Sequence, residues 1–271
     1  MKKGKIYGVV TCIIILFVAV VFGFSKMKGS NNSKVSNKTI RVLTYANWNP
    51  FEYLKNGKLV GFDIDLIKEL SKKAGYKYTI KNVSWESMFT QLQQGKADVG
   101  IAGITITSDR SKTFDFSNPY FVSRQSIIVP QNSTIKHASD LKNSKIAVQS
   151  GSTGQEAAKK LFGKDNPKIL ATQNGSSFQM VMHGQADAAI GDNTSNEKFI
   201  ENNKESKLKI VKDDKAFSPE YFGLMFPKGT SYKKAYDKAL KKLIADGTYQ
   251  KIYKKWFGVT PDTKELSKFK Q

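Results

Sequence analysis

The sequence predicts an α/β protein of two lobes joined by two hinge crossings, and three observations carry that prediction. Strand-like and helix-like segments alternate from about residue 39 to residue 258, the pattern of open sheets covered by helices. Two stretches also echo each other at an offset of 89 residues. Residues 89–103 read FTQLQQGKADVGIAG and residues 178–192 read FQMVMHGQADAAIGD, so that Gly95 falls on Gly184, Ala97-Asp98 on Ala186-Asp187 and Ile101 on Ile190. Each copy reads as a short helix, a glycine stop and a buried strand. Finally, extended stretches near Pro130 and Pro219 lead out of the first lobe and back into it, so the second lobe is an insertion with a hinge at its base.

Taken in order, residues 39–44 open the fold as a strand, 48–52 form an irregular loop, and Asn56-Gly57 turns a hairpin into 59–63. Residues 63–74 are amphipathic, with Ile64, Ile67 and Leu70 on one side, and stop at Gly75. A strand at 78–83 precedes the first echoing helix, 84–94, and its strand, 98–104. Thr107 or Ser108 can cap a short helix after the loop at 105–110. Residues 125–129 read as a strand of the first lobe ending at Pro130. The second lobe follows with a strand at 145–149, a turn at 150–154, a helix through Phe162, the second echoing unit at 176–192, a polar helix or loop at 199–209 and a strand at 208–211. An apolar strand at 221–226 returns the chain, and helices at 232–245 and 249–257 are separated by Asp246-Gly247.

The N-terminus reads as a targeting segment. Lys2, Lys3 and Lys5 precede an apolar run over residues 6–24, long enough at roughly 28 Å to span a bilayer, and no Ala-x-Ala site follows it. The chain therefore divides into 1–24, a signal peptide or N-terminal membrane anchor; 25–38, a flexible tether; 39–129, the first lobe; 130–218, the second lobe; 219–258, the return segment and C-terminal helices of the first lobe; and 259–271, a charged tail. The single cysteine, Cys12, lies inside the apolar run behind Val9-Val10-Thr11, a poor fit to a lipoprotein site. One cysteine excludes an intramolecular disulfide, and His137 and His183 lack ligand spacing. The net charge of +21 is almost all scattered lysine, which reads as a solvated basic surface rather than a nucleic-acid interface.

Arginine is rare: only Arg41, Arg110 and Arg124 occur. Arg110 stands just past a strand end bearing Thr105, where a guanidinium and hydroxyls suit a carboxylate; alternatively it pairs with Asp109 or Asp115. Residues 150–154 (Ser-Gly-Ser-Thr-Gly) join a strand to a helix, and Thr153 is the best candidate there for an anion contact, unless the turn is merely capped. Asp192 ends the second echoing strand and either accepts from an ammonium or caps the following segment. Trp48 and Trp85 either stack a ligand in the cleft or pack in the core. Opposite charges at equivalent strand ends of two lobes suggest a clamp for a small zwitterion. Asp98 and Asp187 precede their strands and serve structure.

Several motifs together resemble the polar amino acid-binding proteins of ABC importers, the bacterial extracellular solute-binding proteins of family 3. They are residues 49–52 (Asn-Pro-Phe-Glu), 61–66 (Gly-Phe-Asp-Ile-Asp-Leu), 103–110, 115–120, 150–154 and 186–192, and the resemblance covers about residues 39–258. It implies a periplasmic-binding-protein type II fold and a ligand α-carboxylate held by Arg110, Thr105 and the Gly103 backbone with help from Thr153. It further implies that Asp192 takes the α-amino group, that Trp48 and Trp85 sandwich the side chain, and that neither metal nor cofactor is needed. Members that take lysine or arginine often carry an acid three residues before the first aromatic. Tyr45 stands there, so glutamine or another uncharged polar amino acid is preferred and basic amino acids come next. The expected protein is a monomer tethered to the outer face of the membrane, delivering its ligand to a permease. The alternatives are a prephenate or arogenate dehydratase on the same fold, with Asp192 or Glu220 as its acid, and a sensor ectodomain.

Overall fold

The structure is a computed structural model that describes residues 36–173 and 176–270. The expected signal or anchor at 1–24, Cys12 and the tether up to residue 35 lie outside the described residues. Among those described, no helix is long and apolar enough to cross a membrane. Strand β1 (Ser36–Thr44) opens the first lobe, three residues before the expected start. A small meander follows, β2 (Asn47–Trp48), β3 (Glu52–Lys55) and β4 (Lys58–Val60). Next come α1 (Phe62–Ala74), β5 (Tyr76–Asn82), α2 (Trp85–Gln93), β6 (Val99–Gly100), α3 (Ser108–Thr113) and β7 (Phe114–Phe116). Strand β8 (Phe121–Ser123) leads to a second lobe of β9 (Gln125–Pro130), β10 (Ile146–Gln149), α4 (Thr153–Phe162), β11 (Ile169–Thr172), α5 (Ser177–Met182), β12 (Ala188–Asp192), α6 (Asn193–Asn202) and β13 (Leu208–Val211). Strand β14 (Glu220–Phe222) returns, β15 (Met225–Pro227) rejoins the first sheet, and α7 (Lys233–Ala245), α8 (Thr248–Phe257) and α9 (Thr263–Leu266) complete the described chain.

The lobes are built on two five-stranded sheets, ordered β5-β1-β6-β15-β7 and β11-β10-β12-β9-β13. In each, three parallel strands are extended by antiparallel ones. Side chains alternate across both sheets, as the period of two requires. In the second, Ile127, Val129, Ile146, Val148 and Ile190 enter one core while Ile128, Ala147 and Ala189 enter the other. Burying both faces contributes about 1.5–3 kcal/mol for each large aliphatic side chain, which explains the near-continuous apolar runs.

One expected boundary is wrong. The sequence reading keeps 125–129 in the first lobe, but β9 pairs with β12 and β13 in the second sheet. The outgoing crossing is instead β8, which lies antiparallel to the returning β14 with Ser123 opposite Glu220 and Phe121 opposite Phe222. Nothing in an apolar strand tells which of two sheets will receive it. The apolar segment 221–226 likewise splits: its first part is the hinge strand β14 and its second is β15.

The echo has a structural counterpart. Gly95 and Gly184 both follow their helices at positive φ, +65° and +68°. Asp98 accepts from the Arg41 N–H at 2.8 Å while its own N–H donates to the Arg41 carbonyl at 2.9 Å. Asp187 grips Lys145 in the same two ways, at 2.7 and 2.9 Å. Asp98 thus pins the middle of β1 and Asp187 the residue just before β10, in each case the neighbouring parallel strand.

Two motifs meet in the first core. Gly61 has φ +142°, and a Cβ there would lie 2.0 Å from the Phe51 carbonyl oxygen, so glycine alone lets the chain before α1 approach β3. This close approach brings Glu52 and Asp63, both fully buried, against each other. Asp63 Oδ2 accepts from the Gly103 N–H (3.0 Å) and the Tyr120 hydroxyl (2.8 Å). Burial, then the adjacent Asp63 charge, pushes the Glu52 carboxyl well above its usual range. Burial also raises Asp63 to about 7. Two adjacent carboxyls removed from water and raised in this way do not both ionise near neutral pH, so the pair retains a proton. A carboxyl raised by folding binds more protons folded than unfolded. Its stabilisation is therefore complete below the usual unfolded value of about 4 and is lost as pH rises through about 7. Thermal melts should lose on the order of 2 kcal/mol between about pH 5 and pH 8 through this pair. Asp63→Asn, which keeps an oxygen for the Gly103 N–H and the Tyr120 hydroxyl but cannot ionise, should flatten that fall; an unchanged slope would remove the pair as its source.

Candidate functional site

The cleft between the lobes is where strand ends of both sheets meet. On its first-lobe side, Thr107 caps α3 by accepting from the Arg110 N–H at 3.1 Å, which fixes the root of the Arg110 side chain. Its guanidinium then bridges the lobes. Nη1 donates to the Thr105 carbonyl (2.9 Å) and Nη2 to the Gly151 carbonyl of the second lobe (3.0 Å). The ring faces of Trp85 and Phe89 lie 5.6 and 5.4 Å from it. Surface pairing does not occur: Lys112 takes Asp109 and Lys228 takes Asp115. Among the described residues Arg110 has no carboxylate within salt-bridge distance. Burial lowers its pKa, opposed by the charges of Glu156, Glu220 and Asp192, yet a guanidinium stays protonated.

On the second-lobe side, Asp192 ends β12 and is 5% exposed. It occupies the N-cap position of α6, but its side chain makes no capping bond. One oxygen accepts from the Ser123 hydroxyl (3.0 Å) and the Gln125 amide (3.4 Å). Burial first, and then the Glu220 charge, pushes this carboxyl well above the ordinary aspartate range, against the pull of Arg110.

Between them stands Glu220, on the hinge strand β14. Its Oε2 accepts from the hydroxyls of Thr105 at 2.8 Å and Thr153 at 2.7 Å, one from each lobe, and its Oε1 accepts from Gln125 at 3.1 Å. A hydroxyl has one proton. While Glu220 holds it, the Thr105 and Thr153 side chains offer a ligand lone pairs only, so those two hydroxyls are acceptors here rather than carboxylate donors. Thr153 begins α4, whose first N–H groups have no intrahelical partner, and the Thr105 N–H is also without one among the described residues. These N–H groups, with Arg110, are the donors left for an anion.

Two further expectations change. The Gly103 N–H is committed to Asp63, so it cannot hold a ligand carboxylate, and only the Gly103 carbonyl is left to face a ligand. Trp48 and Trp85 do not form parallel walls: their rings meet at 63° with centroids 6.5 Å apart. Trp85 is buried beside Tyr45 and Phe89 and shelves Arg110, while Trp48 lines the cavity. That cavity, about 50 Å³, is bounded by Trp48, Gln125, Gln149, Phe178, Asp192 and Ser195. The Gln149 Nε2, the Gln125 Oε1 and the Ser195 hydroxyl are buried there without a hydrogen-bond partner. Gln125 and Ser195 escaped the sequence reading because isolated polar residues carry no motif. Glu220 entered it only as the acid of an enzymatic alternative, although an acid directly after Pro219 at the return crossing was a usable signal. A larger open hollow of about 880 Å³ on the second lobe has Asp213 in its wall, but that acid already accepts from the Ala138 N–H (2.9 Å). Its wall mixes Lys142, Lys212 and Lys215 with Asp213 and Asp214, so neither sign of charge prevails there.

Known proteins match the chain over most of its length. Residues 40–259 match the bacterial extracellular solute-binding proteins, family 3. A probable histidine-binding protein of Neisseria gonorrhoeae is 35% identical over 224 residues, covering 81% of this chain and 83% of that protein. The ABC transporter glutamine-binding protein GlnH of Bacillus subtilis is 34% identical over 217 residues, 77% of each chain. The crystal structure of the arginine-, lysine-, histidine-binding protein ArtJ from Geobacillus stearothermophilus superposes with a TM-score of 0.83 at 44% identity, covering 85% of this chain and all of that one. The chain belongs to family 3 of the bacterial extracellular solute-binding proteins.

Proposed function

We propose that this protein captures a free polar amino acid in the interlobe cleft and delivers it, outside the cytoplasm, to an ABC permease, tethered to the membrane through its N-terminal segment. One observation carries the reading: a half-buried guanidinium with no carboxylate partner and a buried aspartate with no capping duty reach the same cleft from different lobes. The ligand carboxylate takes Arg110 and the N–H groups of Thr105 and Thr153. The ligand ammonium takes Asp192, with the Gly103 carbonyl and the Thr105 oxygen as further acceptors. Charge-assisted hydrogen bonds of this kind contribute about 1.5–3 kcal/mol each, so a few of them reach micromolar affinity.

The cavity favours a side chain that both donates and accepts, because unpartnered amide and hydroxyl groups line it. Glutamine comes first on this ground. Histidine and arginine follow, and relatives named for all of these ligands support the same set.

A thermal-shift screen of the twenty amino acids should single out a few polar ones, since a ligand that binds only the folded state raises the melting point. Arg110→Ala should weaken the best ligand at least about a hundredfold in calorimetry while melting near wild type; retained affinity would remove its role. Asp192→Asn keeps an acceptor for Ser123 and Gln125 but removes a desolvated charge. Without ligand it should melt at or above the wild-type temperature, and addition of ligand should no longer stabilise it. A variant that still shifts with ligand would exclude the ammonium role.

A further inference from the structure

We propose that Glu220 is a hinge-borne latch, a positioning residue that stabilises lobe closure for whichever ligand is held, and this rests on the amino acid-binding reading above. Its place is unusual for a surface acid. Glu220 belongs to neither five-stranded sheet but to β14, which pairs with the outgoing crossing β8 and is also bridged to the first lobe, where Phe222 lies opposite Thr105 and the Ile106 N–H donates to the Tyr221 carbonyl at 2.8 Å. These bonds carry the root of Glu220 with the first lobe, so its carboxylate is a fixed point of that lobe against which the second can register.

The contacts show that it does. Thr105 belongs to the first lobe, and Thr153, at the start of α4, to the second; their oxygens lie 3.5 Å apart. One carboxylate oxygen accepts from both, at 2.8 and 2.7 Å. Two hydroxyls on different bodies can reach one oxygen only when the cleft is shut, so the bond to Thr153 is made on closure and broken on opening, while Thr105 stays beside the strand that carries Glu220. Gln125, the first residue of the second sheet, donates to the other oxygen at 3.1 Å, and Thr153 accepts from the same amide at 3.2 Å. Lys268 and Lys270 of the C-terminal segment share a hollow with Glu220, but the Lys268 ammonium is paired with Glu265. No lysine or arginine forms a salt bridge with Glu220 among the described residues, so its acceptor capacity is directed at the three interlobe donors.

The latch differs from a ligand contact in two respects. Its bonds are made within the protein, so their effect is common to all ligands. The bond to Thr153 exists only in the closed form, so it slows release rather than speeds capture. Glu220→Gln has a carbonyl for both hydroxyl protons and an NH₂ group that can meet the unpartnered Gln125 Oε1. Glu220→Asp keeps the charge but is one methylene short.

The test measures L-arginine, L-histidine and L-glutamine binding to the full-length chain by calorimetry and stopped flow. Glu220→Ala should weaken every ligand the wild type binds by a common factor of about tenfold to a hundredfold, in the dissociation rate, with an unchanged melting point before ligand is added. Glu220→Asp should behave like Glu220→Ala, and Glu220→Gln should return to within about threefold of wild type. Should Glu220→Ala fail to fold, the Asp and Gln variants decide alone. Unchanged or tightened binding, loss confined to one ligand, a loss seen only in the association rate, or wild-type affinity in Glu220→Asp would each overturn the latch. A wild-type chain that binds none of the twenty amino acids would instead overturn the functional reading, and this proposal with it.

Discussion

A guanidinium drawn partly out of water must find hydrogen-bond acceptors, and Arg110 finds them on two bodies at once. Its amino groups donate to carbonyls of Thr105 and Gly151, which belong to different lobes, while Trp85 and Phe89 cover its faces. Neutral carbonyls hold the group in place without cancelling its charge. The rest of the site follows from that residue. The second lobe must present the opposite charge, and Asp192 does so from the end of β12. A hinge must let the two approach, and β8 paired with β14 provides it. Because the crossings are hydrogen-bonded to each other, the lobes can rotate about a shared ribbon while each sheet stays intact.

Buried acids recur across this molecule, and they divide by what surrounds them. Asp98 sits against Arg41 and its backbone N–H; these bonds outweigh partial burial and hold its pKa below the usual value. Glu52 and Asp63 pair with no cation among the described residues and retain a proton between them instead. Asp192 has neither remedy in full. Ser123 donates to it and Arg110 attracts it, but burial and Glu220 outweigh both. An aspartate held in this condition is costly to stability and receptive to an ammonium, whose arrival supplies the missing positive charge. Strain of this kind concentrates where binding occurs.

The architecture was legible in the sequence because its signals are local. The glycine stops at Gly95 and Gly184, the Asn56-Gly57 turn and the Thr107 cap each fix a backbone conformation within a few residues. Arg110 and Asp192 could be named as candidates for a related reason, since one follows and the other ends a buried strand. What could not be read depends on contacts between distant segments. Residues 125–130 look the same whether they join the first sheet or the second. Trp85 carries no sign that Arg110 will lie over its ring, and the Gly103 N–H gives none that Asp63, forty residues earlier, has already taken it.

Proton direction separates the roles that residue type alone had merged. From sequence, Thr105, Thr153 and Gly103 are a set of donors suited to a carboxylate. In the folded chain, Glu220 and Asp63 have claimed three of those protons. Near the first-lobe strand end this leaves a lone-pair surface of one glycine carbonyl and two hydroxyl oxygens, beside a guanidinium and unpaired N–H groups. Such a surface has two electrostatic halves, one matched to an ammonium and the other to a carboxylate, held a short distance apart by the backbone between residues 103 and 110. The spacing of those halves follows from hydrogen bonds made inside the protein. On the amino acid-binding reading proposed above, the polarity that meets the head group is set by Glu220 and Asp63, acids that direct protons without needing to touch the ligand.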